Sequence, residues 1–397
     1  SEWSQLPGTT GDPSRIYAQE NVYEEVFPVN ISIQKYSPDG IYANKLGRAM
    51  IKHVKFSIGG TTIQDLDDLW YITNDELLRS QDEKESLKYL INGGEDYLPT
   101  SPSNYGPIDL YIPLDLFFCR TRKTSSTLVT PVKVFDEYRS WKPYLPLCAM
   151  GSQDFEIEIE FYPQQYFSNT SGIINLPDVK TSIITEEILI SPHERNYLKT
   201  QPQEFLIETA TKFPKQIFSM TKPGIEQRFD GFIADYPVKM ANWLFRSKQF
   251  ENENDSTYFL HRYNFSTVVS TNDEYRLFFE FMKKAEFFIE GVPQIERFGI
   301  SDYYKYVNAL AGGLSSTQKN IYSYLFSMDP AKYGPSGSLN FSTTSSNKTF
   351  LSFKIDPQTQ SSAIEKVDAS LGATFHGWAY GFNVLKIEDG RAFKPFS

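Results

Sequence analysis

Carboxylate-rich segments are the first places in this sequence where catalytic chemistry could reside. Adjacent pairs occur at Asp67-Asp68 and Glu186-Glu187, and three glutamates alternate with apolar residues in 155–161. Glycoside hydrolysis needs two carboxyl groups about 5–10 Å apart across a cleft, with the pKa of one raised by burial. A strand that presents its acidic face to solvent provides no such difference between the two groups. The spacing therefore predicts no catalytic pair here.

Histidine and cysteine side chains, which supply many nucleophiles and zinc ligands, are few and dispersed. There are four histidines and two cysteines: His53, His193, His261, His376, Cys119 and Cys148. None has the spacing of a zinc site, and the sequence has neither a Gly-x-Ser-x-Gly turn nor a Cys–His pairing. We expect no metal, no cofactor and no enzymatic activity. We interpret 192–195, which contains His193, as the solvated start of a helix.

The glycine pair Gly59-Gly60 could suggest a phosphate-binding loop. The surrounding pattern lacks both the Gly-x-x-x-x-Gly-Lys loop and the strand-to-helix fingerprint of nucleotide-binding proteins. Two glycines after a strand favour a tight hairpin turn instead, because glycine adopts positive φ without steric cost.

The composition excludes several classes of protein. Of 397 residues, 40% are hydrophobic and 15% aromatic, which is enough for sizeable cores and excludes general disorder. Lys plus Arg number 39 against 49 Asp plus Glu, and the net charge of −10 argues against direct nucleic-acid binding, which relies on positive charge. No apolar stretch reaches the ~20 residues that span a bilayer, and no secretory signal pattern opens the sequence. We expect a soluble chain in a reducing compartment.

The residue pattern is that of an all-β protein. Short runs rich in Phe, Tyr, Ile, Val and Thr alternate with clusters of Pro, Gly, Asn, Asp and Ser, which are typical of turns. Period-two alternation predicts strands within 51–58, 155–161, 204–209 and 351–355. Helical patterns are few and short, chiefly 66–80 and 301–311.

An internal repeat organises the chain. The segment IKHVKFSIGG at 51–60 is echoed by MKKAEFFIEG at 282–291. Each is followed by a short acidic-aromatic helical pattern and then, after a polar loop, by an aromatic strand pattern. Because several elements recur in the same order, the repeat predicts two similar β modules.

A β module of this size, with long strands, suits a sandwich of two packed sheets. We therefore predict an all-β chain of two tandem eight-stranded jelly-roll sandwiches, with short helices inserted in loops. The predicted ranges are an N-terminal arm or edge segment at 1–30, a first jelly roll at 31–165, a linker at 166–200 and a second jelly roll at 201–397.

Several motifs resemble those of the double jelly-roll major capsid proteins of nucleocytoplasmic large DNA viruses. In the first half they are IKHVKFSIGG at 51–60, DDLWYITNDELL at 67–78, YIPLDLFFCR at 111–120 and PLCAMGSQDFEIEIEF at 146–161. In the second half they are YPVKMANWLFR at 236–246, IYSYLFSMDPAKYGPSGSLNFS at 321–342 and YGFNVLKIEDGRAFKPFS at 380–397. The resemblance departs at the N-terminus, where the family's Gly-Asn-Pro turn is not evident, and at 124–143, which is longer than expected.

The resemblance implies a structural role. It implies a major capsid protein whose homotrimers have a pseudo-hexagonal outline and tile the facets of an icosahedral virion. The expected partners are other copies of the chain, neighbouring trimers, and minor capsid and penton proteins, with an internal membrane beneath the shell as a further candidate. Nucleic acid is not an expected partner. The expected location is the virion, assembled in the cytoplasm of the infected host cell.

Two other functions remain open at this point. One is a scaffold or minor capsid protein of the same fold, which would be distinguished by its abundance in purified virions. The other is a carbohydrate-binding β-sandwich, which would place exposed Trp and Tyr beside polar residues on a sheet face.

Interface and modification sites are the residue-level expectations. Tyr303, Tyr304 and Tyr306 lie on a short helix near a loop and are candidates for an interface, where aromatic residues are enriched. Six Asn-x-Ser/Thr sequons are present: Asn30, Asn169, Asn254, Asn264, Asn340 and Asn347. Asn254 lies in the polar segment 251–257, and since family members carry sugars on exposed loops, it is the expected glycosylation site.

Overall fold

The fold was analysed in a computed structural model of the chain. The structure describes residues 15–16, 26–35, 42–92, 108–119, 144–169, 180–294, 299–315, 317–344, 348–355 and 365–395. The long segment expected at 124–143 lies outside these residues. None of the helices they form is long and apolar enough to cross a membrane.

The first module consists of two antiparallel sheets. Its strands are β1 (Arg15–Ile16), β2 (Val26–Lys35), β3 (Ile51–Ile58), β4 (Thr61–Asp67), β5 (Ile108–Pro113), β6 (Phe155–Phe161) and β7 (Lys180–Glu187). One sheet has the order β1-β6-β3-β4 and the other β5-β2-β7. The helices are α1 (Leu46–Met50), α2 (Asp68–Leu77), α3 (Gln81–Ile91) and α4 (Gln164–Phe167), and α5 (Pro192–Thr200) leads to the second module.

The second module also consists of two antiparallel sheets. Its strands are β8 (Gln203–Lys212), β9 (Gln216–Phe218), β10 (Glu226–Phe229), β11 (Pro237–Ser247), β12 (Met282–Ile289), β13 (Val292–Pro293), β14 (Gly299–Ile300), β15 (Ile321–Leu325), β16 (Leu339–Asn340), β17 (Phe350–Ile355), β18 (Ala373–Glu388) and β19 (Arg391–Phe393). The five-stranded sheet has the order β10-β17-β12-β13, with β14 also on β12. The seven-stranded sheet has the order β15-β11-β18-β19, with β16 on β11 and both β8 and β9 on β18.

Helices connect these strands at a few points. In the second module they are α6 (Asp273–Phe278), the π-helical turn Tyr303–Val307 and α7 (Asn308–Ala311). The predicted helices in 66–80 and 301–311 are present, whereas α3 was not predicted. Helix α3 buries only Leu87 and Ile91, so its apolar stripe is weak. The signal that could have revealed it is the capping box of Ser80 and Glu83, in which each side chain accepts a hydrogen bond from the other's backbone amide. The same box, Ser191 with Glu194, begins α5 where a helix start was expected.

The internal repeat is visible in the strand geometry. Strand β3 pairs with β6, and β12 with β17, and in both pairs the register skips the second residue of the strand, Lys52 or Lys283. Both strands end in a two-residue hairpin turn with positive φ, at Gly59-Gly60 (55° and 78°) and at Glu290-Gly291 (52° and 79°). Such turns match the twist of the flanking strands. The glycine pair therefore forms a hairpin, and the two modules share a bulge as well as a sequence pattern.

The strand pairing differs from the predicted module boundaries at two places. Strand β7 lies inside the expected linker at 166–200, yet it pairs with β2 in a first-module sheet. Strand β1 and the start of β2 lie inside the expected arm at 1–30, and β1 pairs with β6. The residues at 169–178, just before β7, led to the linker prediction because Asn, Pro and Gly are typical of connecting segments. We propose that the first module extends to β7 and that the second begins after α5.

One sheet of the second module is buried on both faces. Because strand residues alternate, Trp243 and Phe245 of β11 point into the sandwich of the second module, where they join its aromatic core. Met240 and Leu244 point the other way and join a core that is continuous with the first module. Trp378 of β18 lies on this second face. The sheet is therefore a wall shared by the two modules.

Candidate functional site

A polar cavity lies where the two modules meet. Its volume is about 520 Å³, and each module supplies half of its lining residues. The charged or titratable residues that line it are Lys52, His53, Asp65, Asp67 and Asp68 from the first module and Lys212, Lys215, Arg246, Glu253, His376 and Lys394 from the second. Their contacts show whether this cavity is a reaction site or part of the interface that joins the two modules, which we call the joint.

Asp67 connects the modules at the end of β4. It is the N-cap of α2, and its Oδ1 accepts hydrogen bonds from the Trp70 amide at 2.9 Å and from Trp378 Nε1 at 3.2 Å. Its Oδ2 accepts from the Lys212 ammonium. Burial raises the pKa of Asp67, but the Lys212 charge and these hydrogen bonds outweigh burial, so the pKa is lowered. Asp67 is therefore an ionised structural group.

Asp68, the next residue, is in the opposite situation. It is 3% exposed, and its Oδ2 accepts a long hydrogen bond from the Tyr166 hydroxyl at 3.5 Å. No Lys, Arg or His nitrogen of the described residues lies within ion-pair distance of it. Burial raises its pKa to about 6, because it outweighs the attraction of the Arg246 charge.

Replacing each of the two adjacent carboxylates by an amide should change the free energy of unfolding in opposite directions. Asp68→Asn is expected to raise the free energy of unfolding above pH 7 by up to about 3 kcal/mol, the equivalent of the pKa rise from 3.8 to about 6. The penalty of the charged group grows as pH rises through this interval, so the variant and the parent should be equally stable near pH 4. Thermal and urea unfolding at several pH values would measure this.

Asp67→Asn is the matched control for this test. Because the pKa of Asp67 is lowered by its partners, the amide should reduce stability at neutral pH, and the loss should disappear as the carboxylate is protonated in acid. If both variants change stability in the same direction at pH 7.5, the contrast between the two carboxylates is wrong.

A second polar cluster connects β11, β18 and the loop after β11. His376 Nε2 lies 2.6 Å from Glu251 Oε1, and Arg246 Nη1 donates to the Tyr166 hydroxyl at 3.2 Å. Burial lowers the pKa of His376 to about 4, although the Glu251 contact opposes this. Burial raises the pKa of Glu251, but the His376 hydrogen bond and the Arg246 charge bring it down to about 2. Since an ionised carboxylate only accepts, Nε2 carries the proton of the neutral imidazole.

Arg262 belongs to the second module and makes buried contacts with Tyr166 of the first module. Its Nε donates to the Tyr166 carbonyl at 2.8 Å and its Nη1 to the Phe250 carbonyl at 2.8 Å, and it also donates to the Asp255 carbonyl. The guanidinium lies 4.3 Å from the centre of the Tyr166 ring. Arg262 is 1% exposed, so these contacts are desolvated.

The junction binds the modules together and has no catalytic pair. Asp67 and Asp68 are consecutive residues with separate partners, so they do not face each other across a substrate cleft. In the part of the chain that the structure describes, no three His, Cys, Asp or Glu side chains are grouped to hold a metal ion. The residues that form this joint, among them Lys212, Arg246 and Arg262, were not identified from the sequence.

Comparison with known proteins assigns the chain to a protein family. A family model described as the large eukaryotic DNA virus major capsid protein matches residues 194–392, and one described as the major capsid protein N-terminus matches residues 24–188. The chain belongs to the major capsid protein family of large eukaryotic DNA viruses. It is therefore a structural component of the virion capsid and not an enzyme, and this selects the capsid function over the carbohydrate-binding one.

Solved structures of this fold match almost the whole capsid protein. PBCV-1 VP54, fitted into a reconstruction of the virophage Sputnik, is 18% identical with a TM-score of 0.72 and covers 96% of this chain and 91% of that chain. A quasi-atomic model of the PBCV-1 virus capsid gives 17% and 0.74 with the same coverage, and the Faustovirus major capsid protein gives 12% and 0.60, covering 96% and 89%. No curated protein matches by sequence. These likenesses confirm the all-β fold of two tandem jelly rolls.

The three tyrosines expected at an interface occupy different environments in this capsid protein. Tyr304 is completely buried, lies edge-on to Trp243 at 5.4 Å and donates to the Ala285 carbonyl at 3.2 Å. It is a core residue, so the expectation of direct partner contact is wrong for Tyr304, because the helix turns this side chain toward β11. Tyr303 is half-buried and Tyr306 is 37% exposed, and their role at an interface stays a prediction.

The same helix exposes apolar side chains that were not predicted. Val307 is 52% exposed and Leu310 is 85% exposed. Leu310 follows Val307 by three residues and Tyr306 by four, so it is a neighbour of both on the helix surface. This spacing is the sequence signal that could have revealed them. We call Tyr306, Val307 and Leu310 the helix patch.

The sequon at Asn254 is accessible. Asn254 is exposed on the loop between β11 and β12, and its amide donates to Asn252 Oδ1 at 3.2 Å. Asn264, in contrast, is completely buried and donates to the Val268 carbonyl at 2.7 Å, so the folded chain cannot be modified there. Modification of Asn254 stays a prediction.

Proposed function

We propose that three copies of this capsid protein form a trimer of six modules with a pseudo-hexagonal outline, and that such trimers tile an icosahedral shell. The observation that carries this proposal is the duplicated module geometry, with the same register skip and the same hairpin in β3 and β12. Three chains with two similar modules each present six similar units around a threefold axis. A closed symmetric oligomer of this kind satisfies all of its own contacts.

The partners and location of the trimer belong to the same proposal. Neighbouring trimers, minor capsid proteins and penton proteins would bind its outer edges, and an internal membrane would lie beneath the shell. Assembly would take place in the cytoplasm of the infected host cell, and Asn254 on its exposed loop would carry a glycan. The net charge of −10 supports the expectation that the bulk of the chain does not bind nucleic acid directly.

The helix patch is the proposed contact between copies within the trimer. Exposed apolar groups that lie together on a surface are typical of protein–protein contacts. A few residues near the centre of such a contact, tyrosine often among them, contribute most of the binding free energy, about 2 kcal/mol or more each.

Native mass spectrometry and light scattering of the purified chain test the trimer. We expect a species of three times 45.6 kDa at micromolar concentration, and a persistent monomer would overturn the proposal. Leu310→Asp should shift the population to monomer, because it places a charge in the contact. The control Leu189→Asp changes another leucine, 76% exposed, in the segment after β7 and should leave the trimer intact. Equal effects of the two variants would contradict the role of the helix patch.

The same mass measurement addresses Asn254. Protein from purified particles should carry an added mass that is absent from an Asn254→Gln variant. An unmodified mass in particles would contradict glycosylation without affecting the trimer.

A further inference from the structure

Two lysines at the junction cavity lack a carboxylate partner. Lys215 follows β8 and Lys394 follows β19, and both line the cavity. Neither forms an ion pair or a hydrogen bond with the residues that the structure describes. Burial, together with the charges of Lys212 and Arg246, lowers the pKa of Lys215, and burial lowers the pKa of Lys394. Neither ammonium group therefore has a direct carboxylate contact, although Lys215 is exposed and the charges of Glu251 and Asp67 act on it from a distance.

Apart from Asp68, which also lines the cavity and has no ion-pair partner among the described residues, the nearby acidic groups are already paired. Lys212 pairs with Asp67, Arg246 lies 3.4 Å from Glu251, and Lys52 contacts Glu160 at 3.0 Å and Glu253 at 3.2 Å. Both the cations and the carboxylates of these pairs are needed to hold the two modules together. Lys215 and Lys394 thus take no part in the ion pairs that hold the two modules together.

A third group in the same wall has unused hydrogen-bonding capacity. His376 is completely buried and lines the cavity, and its Nδ1 has no hydrogen-bond partner among the described residues. Its Nε2 is occupied by Glu251. Buried polar atoms are rarely left unpaired in folded proteins unless a water or a ligand satisfies them. A ligand that brings a proton to Nδ1, or induces its protonation, would complete this contact.

We propose that the junction cavity binds a small oxyanion of the phosphate class, held by the ammonium groups of Lys215 and Lys394 and reaching His376. Phosphate oxygens accept several charge-assisted hydrogen bonds at once, which suits two lysines that line the same cavity. The volume of about 520 Å³ exceeds that of a single phosphate and leaves room for a polyphosphate or an organic phosphate. Because the walls come from both modules, the bound anion would tighten the joint inside each capsid subunit.

Calorimetric titration of the intact protein with sodium tripolyphosphate, at constant ionic strength, tests this proposal. We expect saturable binding of one anion per chain and a rise in Tm of several degrees, since a ligand of the native state stabilises it by mass action. Inorganic phosphate should bind more weakly, and sodium chloride should have no saturable effect. No saturable binding at millimolar tripolyphosphate would overturn the proposal.

Lysine variants localise the site. The double change Lys215→Ala and Lys394→Ala should weaken tripolyphosphate binding at least tenfold. The control Lys222→Ala and Lys332→Ala removes two exposed lysines that do not line the cavity and should bind like the parent. An equal loss in both double variants would show binding to the general surface and contradict the proposal.

A nucleoside triphosphate serves as a second probe that separates the sources of phosphate. Equal affinity for this nucleotide and for tripolyphosphate would support recognition of the phosphate groups alone. Tighter nucleotide binding that still depends on the two lysines would support an organic phosphate as the ligand. Nucleotide binding that is insensitive to the lysine change would contradict the site.

Discussion

Replacing Trp243 by alanine is expected to lower the free energy of unfolding by about 3–5 kcal/mol, the usual cost of emptying a large buried aromatic site. Trp243 is completely buried in the middle of β11. Its ring lies edge-on to Tyr304 at 5.4 Å and stacks with Tyr322 at 6.2 Å. Since its neighbours belong to a strand and a helix that are fixed elsewhere, they cannot close the space. Urea unfolding followed by fluorescence and circular dichroism would measure the loss.

Trp243→Phe is the control for this prediction. The indole Nε1 has no hydrogen-bond partner among the described residues, so phenylalanine removes no hydrogen bond and keeps most of the aromatic contact. We expect a loss of about 1 kcal/mol, because only part of the ring volume is missing. A loss below 1 kcal/mol for the alanine variant would mean that this core is loosely packed and would contradict the arrangement described here.

Replacing Arg262 by alanine is expected to cost about 3–5 kcal/mol, the second large effect, because it leaves buried carbonyl groups without donors. The carbonyls of Tyr166, Phe250 and Asp255 all accept from this one guanidinium. Tyr166 also loses the cation above its ring. Because Tyr166 belongs to the first module, amide hydrogen exchange should increase in α4 as well as around Arg262.

Arg262→Lys tests whether the planar group or the charge is needed. Lysine keeps the charge but cannot reach three carbonyls and cover the ring at once, so an intermediate loss is expected. Arg228→Ala removes an exposed arginine that lies 3.6 Å from the centre of the Phe350 ring, and it should cost well under 1 kcal/mol. If Arg262→Ala behaves like Arg228→Ala, the role of Arg262 at the junction is wrong.

Much of the fold was predictable because strands and hairpins are encoded locally. The run at 155–161 alternates as expected, with Phe155 and Ile157 buried and Glu158 exposed. The hairpin at Gly59-Gly60 followed from the ability of glycine to adopt positive φ. The order of elements in the two halves depends on whole segments, so the repeat stays recognisable when single residues change.

The junction was not predictable from the same rules. Asn242, Arg246 and His376 occupy alternating polar positions on β11 and β18, and such positions in a single sequence read as a solvent-exposed face. They are buried because the first module covers that face of the sheet. This packing is a long-range property, and local periodicity contains no information about what covers a strand. Tyr304 was expected at an interface because it lies on a short helix near a loop, and its packing against Trp243 of β11 is likewise a long-range contact.

The sheet that serves as a wall for both modules restricts how a shell can bend. An angular change between the modules would have to separate apolar groups such as Met240 and Leu244 from the neighbouring core and break buried charge contacts at the same time. The contacts of the described residues therefore favour one fixed angle between the two modules. When a closed particle needs facets, edges and vertices, the differences in angle must be absorbed where one chain meets the next.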